Sequence, residues 1–67
     1  MKLRKVSGCE DGFCPTVYVS DRGTGVAQGA PVVEAEGLAL GPGEVAVELP
    51  LDVLKDALRA LQVEGKL

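Results

Sequence analysis

The chain contains no histidine, no tryptophan, no isoleucine and no asparagine, and Phe13 and Tyr18 are its only aromatic residues. Without histidine, the Ser–His and Cys–His nucleophile pairs are excluded. Two rings cannot form an aromatic cluster, so any core is made of valine, leucine and alanine. No apolar run is long enough to cross a membrane as a helix, and the charged start, with no apolar stretch behind it, predicts no secretory leader. With two cysteines and no leader, a cytoplasmic location is expected. Clustered Lys and Arg are also scarce. A net charge of −3 gives little attraction for a phosphate backbone, and nucleic acid is not an expected partner.

What is present is one small domain. Sixty-seven residues lie near the lower edge of what a hydrophobic core holds together unaided. A homodimer, a partner protein, a disulfide or a metal would each supply the missing stabilisation, and a partner protein is the first expectation. Lys2, Arg4 and Lys5 make residues 1–8 a basic arm or edge strand ahead of an acidic remainder.

The most legible stretch is a hairpin over residues 14–33. Val17 and Val19 alternate with Thr16, Tyr18 and Ser20, the period of a half-buried strand. Asp21, Arg22, Gly23 and Thr24 supply the turn, and Val26 and Ala27 restart an extended run. Gly29 and Pro31 interrupt it, with Val32 and Val33 continuing past a bulge or bend. Residues 34–40 read as a helical turn or as a loop held down by Leu38 and Leu40, closed by Gly41, Pro42 and Gly43. Residues 44–49 alternate again, with Val45, Val47 and Leu49 on one face, and form a third strand. A helix over 50–63 follows, with Pro50 at its first position, Asp52 at the positive end of its dipole and Gly65 as its stop. Leu51, Leu54, Leu58 and Leu61 make an apolar stripe that Ala57 widens. The predicted fold class is α+β: a small antiparallel sheet of three strands, or four with the N-terminal arm, and one C-terminal helix packed on it.

Cys9 and Cys14 are separated by four residues. They read as two reduced thiols, one beside Phe13, as a small disulfide loop, or as half a metal site completed by a second copy or by Glu10 and Asp11. The run Gly23–Gly29 is GxGxxxG, one residue longer than the dinucleotide fingerprint, and it opens no helix. Glu34, Glu36, Glu44 and Glu48 read as a solvated face, because an acid–base pair needs a pocket that so small a core hardly leaves room for. No catalytic residue and no cofactor is expected, and the chain is not read as an enzyme. The residues that suit a partner-binding surface are Tyr18 with Gln28 across the hairpin, Arg22 at its turn, and Leu54, Leu58 and Leu61 of the stripe, with the acidic surface steering a basic partner.

The cysteine loop, CPTVY, the DRG turn, the VAQG strand and VAVELP leading into a leucine-bearing helix together resemble a recurrent kind of small actinobacterial protein, and the missing isoleucine and asparagine fit a high-GC genome. The layout is similar to that of the BldB-like small proteins of actinomycetes. That resemblance implies an accessory or antitoxin-like protein acting by protein–protein contact, with a transcriptional regulator or a toxin as its partner. VYVSDRGTGVAQGAPV followed by LALGPGEVAVEL is also similar to the swapped-hairpin DNA-binding proteins of the AbrB and MazE type, with Arg22-Gly23, Pro31, residues 38–40 and Gly43-Glu44 on that pattern. This second resemblance implies a dimer that binds DNA. A third expectation, from the cysteines, is a zinc-bridged or disulfide-stabilised small structural protein.

Overall fold

A computed structural model of the chain describes residues 1–10 and 14–67. The elements run β1 (Leu3–Ser7), β2 (Thr16–Ser20), β3 (Gly25–Gln28), β4 (Ala30–Val32), β5 (Ala46–Glu48) and α1 (Leu51–Val63). The fold is α+β. An antiparallel sheet in the order β1-β2-β3 carries the helix, and β4 and β5 form a separate two-stranded antiparallel ribbon.

The hairpin follows from its local chemistry. Val19 pairs with Gly25, and Ser20 N–H donates to Thr24 O at 2.9 Å, which leaves a three-residue loop ending in Gly23. Buried Ser20 organises that loop from inside: its Oγ accepts from Arg22 N–H at 3.1 Å and Thr24 N–H at 3.2 Å. The N-terminal arm is the third strand of this sheet. Residues 44–49, expected there, instead contribute β5 to the ribbon. The reason lies at Gly29, where the chain leaves one sheet for the other. A Cβ there would collide with Glu48 O and approach Leu49 Cδ2, so only glycine lets β5 pass this close. Leu38 and Leu40 do not hold their loop down; both are exposed, and the loop turns through Leu38 N–H to Ala35 O instead.

The ladder between β1 and β2 slips between Lys5 and Ser7, so that Ser7 rather than Val6 stands opposite Val17. Such a bulge re-aims side chains. Here it turns Ser7 toward the helix, where its Oγ donates to Val53 O at 2.7 Å. Gly8 follows at φ +123°, over Thr16, which is wholly buried and donates from Oγ1 to Cys14 O at 2.7 Å. A Cβ at Gly8 would lie 2.7 Å from Thr16 Oγ1 and 2.8 Å from Pro15 O, so the chain passes over Thr16 here only as glycine.

The helix starts one residue later than expected, with Pro50 as its N-cap, its carbonyl accepting from Val53 N–H at 3.1 Å. It ends at Val63 and is closed by Gly65, whose N–H reaches Gln62 O while Lys66 N–H reaches Leu61 O, the paired bonds of a Schellman motif. Most of the leucine stripe does not pack on the sheet. The row turned to the sheet is Val53, Ala57, Ala60 and Glu64, spaced 4, 3 and 4. Of the described residues, Ala57 is the one apolar residue that is fully buried. Ser7 clamps this row at one end. Arg4 clamps it at the other, donating two bonds to the Glu64 carboxylate at 2.8 and 2.5 Å. Small alanines let the helix come close to the sheet, and the two polar clamps fix its angle. Leu51, Leu54 and Leu58 are left 81%, 41% and 53% exposed.

Candidate partner-binding surface

The residues singled out in the sequence fall on three separate parts of the molecule. Cross-strand register separates the two faces of the sheet. Arg4, Val19 and Gly25 lie side by side on the face that meets the helix, since Arg4 reaches Glu64. Lys5, Tyr18 and Val26 therefore lie on the other face. There Tyr18 OH donates to Gln28 Oε1 at 3.0 Å, and Gln28 Nε2 donates to Cys14 O at 3.1 Å. Tyr18 and Gln28 thus form a hydrogen-bonded pair on the open face, which fixes the ring and leaves it half-buried. Arg22 stands exposed at the tip of the hairpin, away from both.

The leucines occupy the helix side. Leu61 is half-buried and lines an open depression of about 350 Å³ together with Val19, Gly23, Thr24, Gly25, Lys66 and Leu67. Since Gly25 opens β3, Leu61 points to the β3 side of the helix. Leu58 and Leu54, three and seven residues back, share that side. The sheet beneath them is uncovered. Ala27 pairs with Val17 on the helix-side face, yet both Ala27 and Gly25 are exposed. The helix rests on β1 and β2, and β3 extends beyond it as an apolar step with the leucines as its riser. The sheet edges also differ: β1 carries Arg4 and Lys5, while β3, Gly25–Gln28, has no charge.

Cys9 and Cys14 are joined as a disulfide with their Cα atoms 6.0 Å apart, within the ordinary range for such a bond. Their sulfurs are therefore not thiolates available to a metal. Among the described residues no three His, Cys, Asp or Glu side chains come together as a metal site. Asp11, considered as a helper ligand, and Phe13, considered as a neighbour of the thiols, lie outside the described residues. Lys5 Nζ donates to Cys9 O at 2.7 Å, which ties the disulfide loop back to β1.

Charge is unevenly placed around the leucines. Lys55 follows Leu51 by four residues and precedes Leu58 by three, so Leu51, Lys55, Leu58 and Gln62 form the row next to Leu54 and Leu61 on the solvent side. Asp52 and Arg59, three residues before and four after Lys55, flank it on the side away from the leucines, with Asp56 farther round the helix. Among the described residues, the side-chain carboxylate with a resolved ionisation shift is Glu64, held below its ordinary value by the hydrogen bonds from Arg4, with burial opposing and the charges of Arg4 and Lys66 adding to the lowering. Lys55 was not singled out in the sequence. Its only signal there is the 4-3 spacing to two leucines, which becomes visible once the helix rotation is known. Among the described residues no helix is long and apolar enough to cross a membrane. No protein family model matches the chain, and neither a curated sequence nor a solved structure is similar to it.

Proposed function

We propose that the chain is a non-enzymatic protein–protein interaction module, an accessory or antitoxin-like partner of a regulatory protein such as a transcriptional regulator or toxin, working in the cytoplasm. The observation that carries this reading is the exposed leucine row beside an uncovered strand. A domain with a single fully buried apolar residue among those described leaves Leu51, Leu54 and Leu58 in water, and large apolar patches on small soluble domains mark interaction sites. Burying the three side chains would contribute roughly 1.5 kcal/mol or more each where burial is complete. The resemblance to the BldB-like proteins supports the same kind of role, as does the Tyr18–Gln28 pair on the other face, because an aromatic ring with a polar tip suits an interface.

The test is purification of the tagged chain from its own host beside a Leu54→Glu/Leu58→Glu variant, followed by native mass spectrometry. A second protein in stoichiometric amount with the native chain and lost with the variant is the expected result. A bare monomer in both preparations would overturn the reading.

The Cys9–Cys14 bond favours a second reading, a disulfide-stabilised small structural protein of an oxidising compartment, since such bonds are uncommon where thiols are kept reduced.

A further inference from the structure

Taken as an interaction module, the molecule offers a step whose shape and charge say what would occupy it. The riser is Leu54, Leu58 and Leu61 of α1. The tread is the helix-side face of β3, with Ala27 and Gly25 exposed and Val17 behind them. Neighbouring strands are about 4.8 Å apart, and packed helices lie about 8–10 Å apart. With α1 seated over β1 and β2, the next lane alongside it falls over β3. An added strand would pair with the edge of β3 but leave the leucines in water; a helix laid on β3 covers both riser and tread.

The charge around the step selects among helices. The row bordering the leucines on the solvent side, Leu51-Lys55-Leu58-Gln62, carries a single charge, and it is positive. At the far end of the step Lys66 lines the depression with Leu61 and Leu67. At the near end Glu48 stands beside Leu49, Pro50 and Ala30. Beyond Lys55, away from the leucines, Asp52 and Arg59 are its neighbours three residues back and four ahead and carry opposite charges, and Asp56 lies farther round α1. A second copy presenting its own leucine row would bring up a bordering row whose one charge is likewise positive, in a protein whose net charge of −3 already opposes self-association. A helix bearing carboxylates along its flank would pair with Lys55 and Lys66 instead.

We propose that the step between α1 and β3 is a docking site for an amphipathic helix of another protein, its apolar face on Leu54, Leu58 and Ala27 and its acidic flank against Lys55. The sign is the reverse of the one suggested by the overall charge. The acidic balance of the chain would steer basic partners at long range, whereas the local field at the step favours an acidic helix.

The test uses the full chain and two synthetic helical peptides. One has leucine on one face and glutamate on both flanks; its twin has lysine in place of glutamate. Fluorescence anisotropy gives the affinity of each for the native chain, for Lys55→Glu and for Leu58→Glu, with circular dichroism checking that both variants fold. The glutamate peptide should bind the native chain about tenfold more tightly than the lysine peptide at low salt, and Lys55→Glu should cancel or reverse that preference. Leu58→Glu should weaken the glutamate peptide about tenfold or more. If the lysine peptide wins, or Lys55→Glu leaves the ratio unchanged, the acidic-helix assignment falls while the interaction reading stands. A concentration-dependent dimer in light scattering that Leu58→Glu dissolves would assign the step to a second copy and overturn the proposal. If neither peptide binds and the chain stays monomeric, the site is not a helix-docking surface, and the host preparation then judges the broader reading independently.

Discussion

Two rows of α1 are built with the same helical spacing and treated in opposite ways. Val53, Ala57, Ala60 and Glu64 carry little apolar bulk, yet they face the sheet. Leu51, Leu54, Leu58 and Leu61 carry the bulk, and three of them face water. Apolar burial alone would have rolled the helix onto its leucines, since a buried leucine contributes more than a buried alanine. Something else sets the angle. The two clamps, Ser7 Oγ on Val53 O and Arg4 on Glu64, bracket the small row and make sense only at the observed rotation. A hydrogen bond from a part-buried hydroxyl contributes about 1 kcal/mol, and leaving Val53 O or Ser7 Oγ unpaired costs more. Together with the close approach that alanine permits, these bonds hold the helix where its leucines remain available. A module that binds through a helix needs that helix fixed by one side and open on the other.

Exchanging size between the two rows should expose this contrast most strongly. Ala57 is 4% exposed against the sheet, and Ala57→Leu forces three extra carbons into the tightest part of the packing. A loss of about 2–3 kcal/mol in chemical denaturation is expected, while Leu58→Ala, at a half-exposed site where alanine is also the better helix former, should cost less than about 1 kcal/mol. Equal costs at the two positions would mean that the rows are not distinguished as described. Next in size is the disulfide, which closes the connection between β1 and β2 just behind Ser7. For so short a loop, removing it by Cys9→Ser with Cys14→Ser should lower stability by about 2 kcal/mol, again read by denaturation. Because the loop supports Ser7 and Gly8, the amides of the first helical turn should lose hydrogen-exchange protection more than those of the last. Uniform loss along α1 would show that the loop does not act through the Ser7 clamp.

These particulars also show what the sequence can and cannot carry. The hairpin through Gln28 was readable because alternation and turn chemistry are local: Val17 and Val19 set a period, and Asp21-Arg22-Gly23 makes the turn; its expected continuation through Val32 and Val33 was not, since Ala30–Val32 pairs with β5 instead. The helix and its end at Gly65 were readable for the same reason, and with them the fold class. The rotation of the helix was not. Both of its rows have helical spacing, and a reading weighted by hydrophobicity picks the leucines, whereas the bonds that decide join residues 46 and 60 positions apart. The partner of residues 44–49 was hidden likewise. Alternation declares a strand but not its neighbour, and it is the close pass at Gly29 that diverts this segment to the ribbon. The candidate site inherits both gaps. Leu54, Leu58 and Leu61 were identifiable as a stripe, but that they border an uncovered β3, and that Lys55 lies on their rim, depends on the rotation.

The smallest expected effect is at the clamp that lies farthest out. Arg4 and Glu64 have side chains 55% and 30% exposed, so their pair is screened by solvent and contributes modestly. Its signature is pH dependence rather than size. The hydrogen bonds from Arg4 place the Glu64 carboxyl below its ordinary value of 4.5 in the folded state. A carboxylate so lowered adds stability that is fully present above 4.5, where it is ionised folded and unfolded alike. That contribution is lost as the pH falls below 4.5 through the lower folded-state value, where folding must give up a paired anion. Arg4, shifted upward by the same hydrogen bonds and attraction, stays charged throughout this range and adds no slope of its own. Thermal unfolding of the native chain and of Glu64→Gln should therefore differ slightly at neutral pH and converge as the solution is acidified past 4.5. Added salt at neutral pH should narrow the same gap. A gap that neither acid nor salt changes would assign the role of Glu64 to the packing of its side-chain carbons, leaving Ser7 as the one polar clamp on the small row.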